Sequence, residues 1–118
     1  MRIDILTIFP KMFDAVLNES IVKRAQKKRK VSIYTHDLRD FTSDKHRKVD
    51  DRPFGGGSGM VMRVEPIYNC LRKIRRSGQR VILLCPKGKR FKQETARRLS
   101  GYKNLVFICG HYEGIDER

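Results

Sequence analysis

The sequence predicts an α/β fold, a mostly parallel open sheet with helices on both faces. Three observations predict it. Apolar residues change between strand-like and helix-like spacing in the order βαβ, a long loop, then αβαβ. Val81–Cys85 and Leu105–Cys109 are unbroken apolar runs of five residues, the pattern of strands covered on both faces in a parallel sheet. Pro10 and Pro66 stand at helix openings, where a missing N–H costs nothing.

The elements follow in order. Arg2–Phe9 reads as a strand because Ile3, Ile5, Leu6, Ile8 and Phe9 are apolar and largely β-branched. After Pro10, the residues Met12, Phe13, Val16, Leu17, Ile21 and Val22 recur at helical spacing, with a break near Asn18–Ser20. Val31–Leu38 is a second strand, offering Val31, Ile33 and the Tyr34 ring for packing. Periodicity stops from Arg39 to Arg63, where polar, charged and glycine residues take over. Pro66 opens a helix that carries Ile67, Leu71 and Ile74 on one face. Arg80–Cys85 is a third strand, Phe91–Leu99 a short helix, and Asn104–Cys109 the last strand. Nine residues follow Cys109, with too little apolar content to finish a core, so the chain is expected to be cut short. The same reading expects that last strand to leave apolar surface exposed.

The chain has 118 residues, with 27 Lys and Arg against 13 Asp and Glu, and a net charge of +14. Such an excess points to a polyanionic partner, since neutralising phosphates releases counterions. The bases cluster at Lys23–Lys30, Lys45–Arg52, Arg72–Arg76 and Lys87–Lys92. Aromatic residues do not interleave with them, so a stacking platform for single strands is not indicated. No apolar run approaches the ~20 residues of a membrane helix. The opening Met-Arg-Ile-Asp-Ile carries an acid within its apolar stretch and shows no signal peptide. Three cysteines, Cys70, Cys85 and Cys109, lack a paired spacing, so no disulfide framework is expected. Cys85 and Cys109 read as buried strand residues, and His36 and His46 have no partner visible in the sequence. A reduced, cytoplasmic protein is expected.

Three segments carry chemistry. The first is Asp50–Met60, with four glycines in five residues at Gly55–Gly59. It is not a P-loop, because no Lys-Ser or Lys-Thr follows, and Gly88-Lys89 has Leu83 where the first glycine belongs. It is not a dinucleotide fingerprint either, since Met60 or Met62 takes the place of the third glycine. Gly55–Gly59 alone reads equally as a mobile loop or a binding site; flanking Asp50, Asp51 and Arg52 favour binding of a base or ribose. The second is Cys85-Pro86-Lys87-Gly88, a tight turn after a strand, for which an ordinary strand-to-helix turn is the simpler reading. The third is Cys109–Arg118, where Gly110 and Gly114 bracket Tyr112 and Glu113 at a strand exit. A carboxylate there suits the donor edge of guanine. Cys109 and His111 lack a second ligand pair, so metal is not expected.

Together these segments resemble the bacterial tRNA (guanine-N1)-methyltransferase family, over the whole chain. The resemblance rests on Ile5–Phe13, Asp40-Phe41-Thr42, Asp44-Lys45-His46, Val49–Met60, Cys109-Gly110 and Tyr112–Arg118. The glycine block followed by Tyr-Glu-Gly-Ile-Asp-Glu-Arg is specific to it. The resemblance implies a SPOUT-like parallel sheet truncated before the trefoil knot is completed, with residues 1–118 forming the N-terminal part of the methyltransferase domain. It implies S-adenosylmethionine as cofactor, tRNA as partner, a homodimer, and methyl transfer to N1 of the guanosine immediately 3′ of the anticodon. The implied cofactor contacts are Leu84, Cys85, Pro86, Gly110, Tyr112, Glu113, Gly114 and Ile115. The guanine and tRNA would meet Asp50, Arg52, Gly57, Ser58 and Gly59, with Glu113 by the base. Family members continue well past this point, and the missing part holds the expected base and a C-terminal tRNA-binding domain. No catalytic residue is therefore assigned within this chain. The rival expectation is a non-catalytic basic RNA-binding remnant.

Overall fold

The computed structural model describes residues 1–51 and 61–110. Its frame is a four-stranded, wholly parallel sheet of β1 (Arg2–Thr7), β2 (Ser32–Asp37), β5 (Arg80–Leu84) and β6 (Asn104–Cys109). The strand order is β2-β1-β6-β5, so the strand latest in sequence lies inside the sheet. Asp4 pairs with Tyr34 on one side and Val106 on the other, and Leu6 with His36 and Ile108. Because side chains alternate along a strand, these pairs share one face.

That face holds the main core. Leu6, Ile8, Val106 and Ile108 pack in one cluster with Leu38, Val49 and Met62 and with Ile67, Cys70 and Ile74. The last three belong to the helix α3 (Val64–Lys73) and its cap, and Leu71 packs against them half-buried. Alternation directs Ile5 and Leu105 to the opposite face; both are buried outside that cluster, as is Leu99 of α4 (Gln93–Leu99).

Several expectations change. The segment after Pro10 breaks where expected, but more completely. A 3-10 turn over Pro10–Phe13 and α1 (Asp14–Leu17) are followed by a separate α2 (Ser20–Lys27). Residues at helical spacing then no longer share one continuous stripe, and Met12, Val16 and Ile21 are exposed. Tyr34 does not pack inward either; it lies on the outer strand with the Arg2 guanidinium 4.2 Å over its ring. The supposed patternless loop contains a 3-10 turn, Leu38–Phe41, and an antiparallel pair of two-residue strands, β3 (Asp50–Asp51) and β4 (Val61–Met62). Neither is visible as periodicity, because two residues are too few to show a pattern.

The largest correction concerns β5. Its apolar run predicted cover on both faces, yet Val81, Leu83 and Leu84 are 45%, 48% and 44% exposed. Insertion of β6 beside β1 leaves β5 at the edge, paired among the described residues with β6 alone. The exposed apolar strand is therefore β5 and not the last strand, whose Val106 is fully buried. The cysteines change accordingly. Cys85 is exposed beyond the end of β5, Cys109 is half-buried, and Cys70 is the fully buried one. No helix among the described residues is long and apolar enough to cross a membrane.

Candidate functional site

In an open parallel sheet, ligands bind beyond the carboxyl ends of the strands. Here those ends carry the predicted cofactor residues that are described. Leu84 pairs with Cys109 in the β5–β6 register, so Cys85-Pro86 and Gly110 leave neighbouring strands side by side. Leu84, Cys85 and Gly110 are all exposed. The Gly88 N–H bonds the Cys85 carbonyl at 3.2 Å and closes the turn. A Cβ on Gly88 would stand 3.4 Å from that carbonyl, an ordinary contact, so the position is snug without demanding glycine. Exposed Leu84, Cys85 and Pro86 therefore stand beside exposed Gly110 at this edge. Burial raises the Cys109 thiol above its ordinary pKa.

Asp50, the described member of the predicted guanine group, lies on the β3–β4 hairpin and pairs with Met62. Val49 and Met62 are buried in the main core cluster, which also holds Leu6, Ile8, Val106 and Ile108 of the sheet side. The hairpin is thus tied into the core packed on that face of the sheet. Arg52, Gly57, Ser58, Gly59, Tyr112, Glu113, Gly114 and Ile115 lie outside the described residues. Among those described, no group of three His, Cys, Asp or Glu side chains stands ready for a metal ion.

Two polar arrangements were missed by the sequence reading. In the first, Asp4 is buried in mid-strand and takes bonds from Arg2 Nε and Nη2 at 3.0 Å each. The further partner of Asp4 is His36, whose Nε2 lies 2.8 Å from Asp4 Oδ1. Burial alone would raise the Asp4 pKa, but the Arg2 and His36 hydrogen bonds and charges outweigh it, and the carboxyl stays below its usual range. Asp4 in turn raises Arg2 through the shared hydrogen bond. The available signal was the acid itself, isolated between Ile3 and Ile5.

The second arrangement holds the turn from Thr42 to Lys48. Glu65, in the first turn of α3, accepts the Ser43 N–H at 3.0 Å and reaches the Ser43 hydroxyl with both oxygens at 3.1 Å. The Thr42 hydroxyl accepts the Asp44 N–H and can donate to Glu65 at 3.3 Å or to the Lys48 carbonyl at 3.2 Å. Asp44 accepts the N–H of His46 at 3.0 Å and of Lys48 at 3.3 Å. The His46 N–H bond, foremost among several contacts, lowers the Asp44 pKa, and the Ser43 N–H does the same for Glu65. Arg47 takes a left-handed φ of 56° and its guanidinium bonds Asp40. Lys45, His46 and Lys48 face solvent.

The third basic block lies elsewhere. Arg72, Arg75 and Arg76 line an open groove of about 790 Å³ with Tyr68, Leu71 and Val81, along α3 and the start of β5. That groove contains none of the predicted site residues.

Known proteins match this chain over its whole length. The family described as tRNA (Guanine-1)-methyltransferase TrmD matches residues 1–118. A curated tRNA (guanine-N(1)-)-methyltransferase of Staphylococcus haemolyticus is 56% identical over 119 residues, covering 100% of this chain and 49% of the relative. That of Geobacter sulfurreducens is 52% identical over 120 residues, with 49% of the relative covered. That of Carboxydothermus hydrogenoformans is 53% identical over 118 residues, with 47% covered. The chain spans about half the length of the curated relatives it matches.

Proposed function

The chain belongs to the tRNA (guanine-1)-methyltransferase family, and from that premise we propose that it forms the N-terminal part of a cytoplasmic, S-adenosylmethionine-dependent enzyme. The proposed acceptor is N1 of the guanosine immediately 3′ of the tRNA anticodon. The observation that carries the reading is the Leu84–Cys109 register, which sets Cys85-Pro86 beside Gly110 at the carboxyl edge of the sheet.

These residues fit an adenosyl ligand. Leu84 and Cys85 offer apolar contact to a nucleoside ring, Pro86 limits the turn, and Gly110 leaves its amide unobstructed by a side chain. When bound, S-adenosylmethionine supplies an electrophilic methyl group. The chain's own task is to hold both reactants in line and to accept the guanine's donor groups. Glu113, close in sequence to Gly110, is proposed to receive the N1–H and N2–H₂ donor edge of guanine, with Tyr112, Gly114 and Ile115 completing the cofactor side. Asp50 and Arg52, with Gly57, Ser58 and Gly59, are proposed to meet the tRNA. No residue of this chain is assigned as the base for the N1 proton. The exposed apolar residues of β5 support a homodimer.

The test is methyl transfer from labelled S-adenosylmethionine to an unmodified tRNA transcript, using the protein as its source makes it. One methyl on N1 of the guanosine 3′ of the anticodon is expected. Glu113→Gln should lower transfer more than it lowers thermal stability. Salt-sensitive tRNA binding without transfer, and with no effect of S-adenosylmethionine on Cys85 alkylation, would replace this reading with a non-catalytic RNA-binding role.

A further inference from the structure

We propose that Glu65 is a positioning residue for tRNA: through Thr42 and Ser43 it fixes the turn that carries Lys45, His46 and Lys48, so that the two lysines meet backbone phosphates beside the Asp50 hairpin. The inference rests on the functional reading above and extends it to a residue that would not itself touch RNA.

Three observations carry it. Glu65 gathers the Ser43 N–H and the Ser43 and Thr42 hydroxyls onto one carboxylate, joining α3 to a turn 22 residues earlier in the chain. Within the turn, Asp44 holds the His46 and Lys48 amides and the Arg47 N–H bonds the Asp44 carbonyl at 2.9 Å. The backbone that bears these three side chains is therefore set from inside and tied down from outside. Next, the side chains of Lys45, His46 and Lys48 are exposed and enter no ion pair among the described residues, whereas Arg47 is engaged with Asp40 and Arg63 with Asp44. Last, the turn runs directly into Val49 and the hairpin, both held by the main core through buried Val49 and Met62.

A flexible turn would have to be ordered when it meets RNA, and that ordering weakens association; a turn already fixed avoids much of the loss. Charge alone predicts the opposite sign for removal of Glu65. Deleting an acid beside a cationic surface should strengthen binding of a polyanion. The two accounts therefore differ in direction as well as in size.

The experiment measures binding of an unmodified tRNA transcript across a salt series, with the protein as its source makes it. Glu65→Ala is expected to weaken binding roughly tenfold, with Glu65→Gln, which keeps one acceptor oxygen, within about threefold of wild type. In a background lacking both lysines, Lys45→Ala with Lys48→Ala, the added Glu65→Ala should cost less than about twofold, because the groups it positions are gone. Ser43→Ala, which leaves the Glu65 charge in place, gives an independent reading if Glu65→Ala folds poorly, and should weaken binding in the same direction. Unchanged or tighter binding by folded Glu65→Ala overturns the inference, as does an equal loss in both backgrounds; so does unchanged affinity in Ser43→Ala where Glu65→Ala does not fold. Wild-type protein that binds no tRNA overturns the functional reading itself, a result distinct from any of these.

Discussion

Replacing Asp4 with alanine should remove one of the larger single contributions to the stability of this fold. The Asp4 side chain is 2% exposed, while the side chains of its partners Arg2 and His36 retain 26% and 18% exposure. Two bonds from Arg2 and the contact to His36 are charge-assisted, and each such bond contributes about 1.5–3 kcal/mol. The cost of burying the carboxylate offsets much of that sum. The Arg2 head is open enough to recover solvent once its partner is gone. A net loss of about 3 kcal/mol follows, at the lower end of the range for breaking a buried pair. With a urea dependence of about 1–3 kcal/mol/M, the unfolding midpoint at pH 7 should fall by roughly 1–3 M.

The same group fixes a pH signature. The folded carboxyl titrates below its ordinary range, so its stabilisation is fully present above the unfolded value near ~3.9 and is lost as the pH falls through the lower folded value. The gap between wild type and Asp4→Ala should persist at pH 5 and close below about pH 4. A variant midpoint within about 0.3 M of wild type at pH 7, or a gap that widens below pH 4, would refute the reasoning.

Three further outcomes are expected. Alkylation at pH 8 should modify exposed Cys85 in the native protein and spare Cys70, which is buried with its thiol pushed up to about 12, so only about one part in ten thousand is thiolate; peptide mapping reads this, and S-adenosylmethionine should slow the Cys85 reaction. Leu6→Ala, at a fully buried position, should cost about 3 kcal/mol by urea unfolding without altering the slope. Gly78→Ala should cost about 1 kcal/mol for backbone reasons alone, since Gly78 sits at φ 70° with nothing within 4 Å of an added Cβ.

Much of the architecture was legible because it is local. Spacing of apolar residues located β1, β2, β5, β6, α3 and α4 within a few residues, and Pro10 marked the entry to the first helical turn. Motif order located Cys85-Pro86 and Gly110 as strand-exit residues, and the register places them on neighbouring strands. What escaped were relations between distant residues. Nothing in Val81–Cys85 says that β6 will insert beside β1 and leave this run at an edge. Nothing near Asp4 names His36, 32 residues away, as its partner. Glu65 reads as an ordinary acid at a helix start until the fold brings Ser43 to it.

The sequence by itself determined the α/β class, the net charge of +14 and the family, since these rest on composition, short-range periodicity and contiguous motifs. Tertiary structure alone decided which strand is the edge, which cysteine is exposed, and which acids are paired. Strand order and buried polar pairing depend on contacts between residues far apart in the chain, and no single segment encodes where its partner will lie.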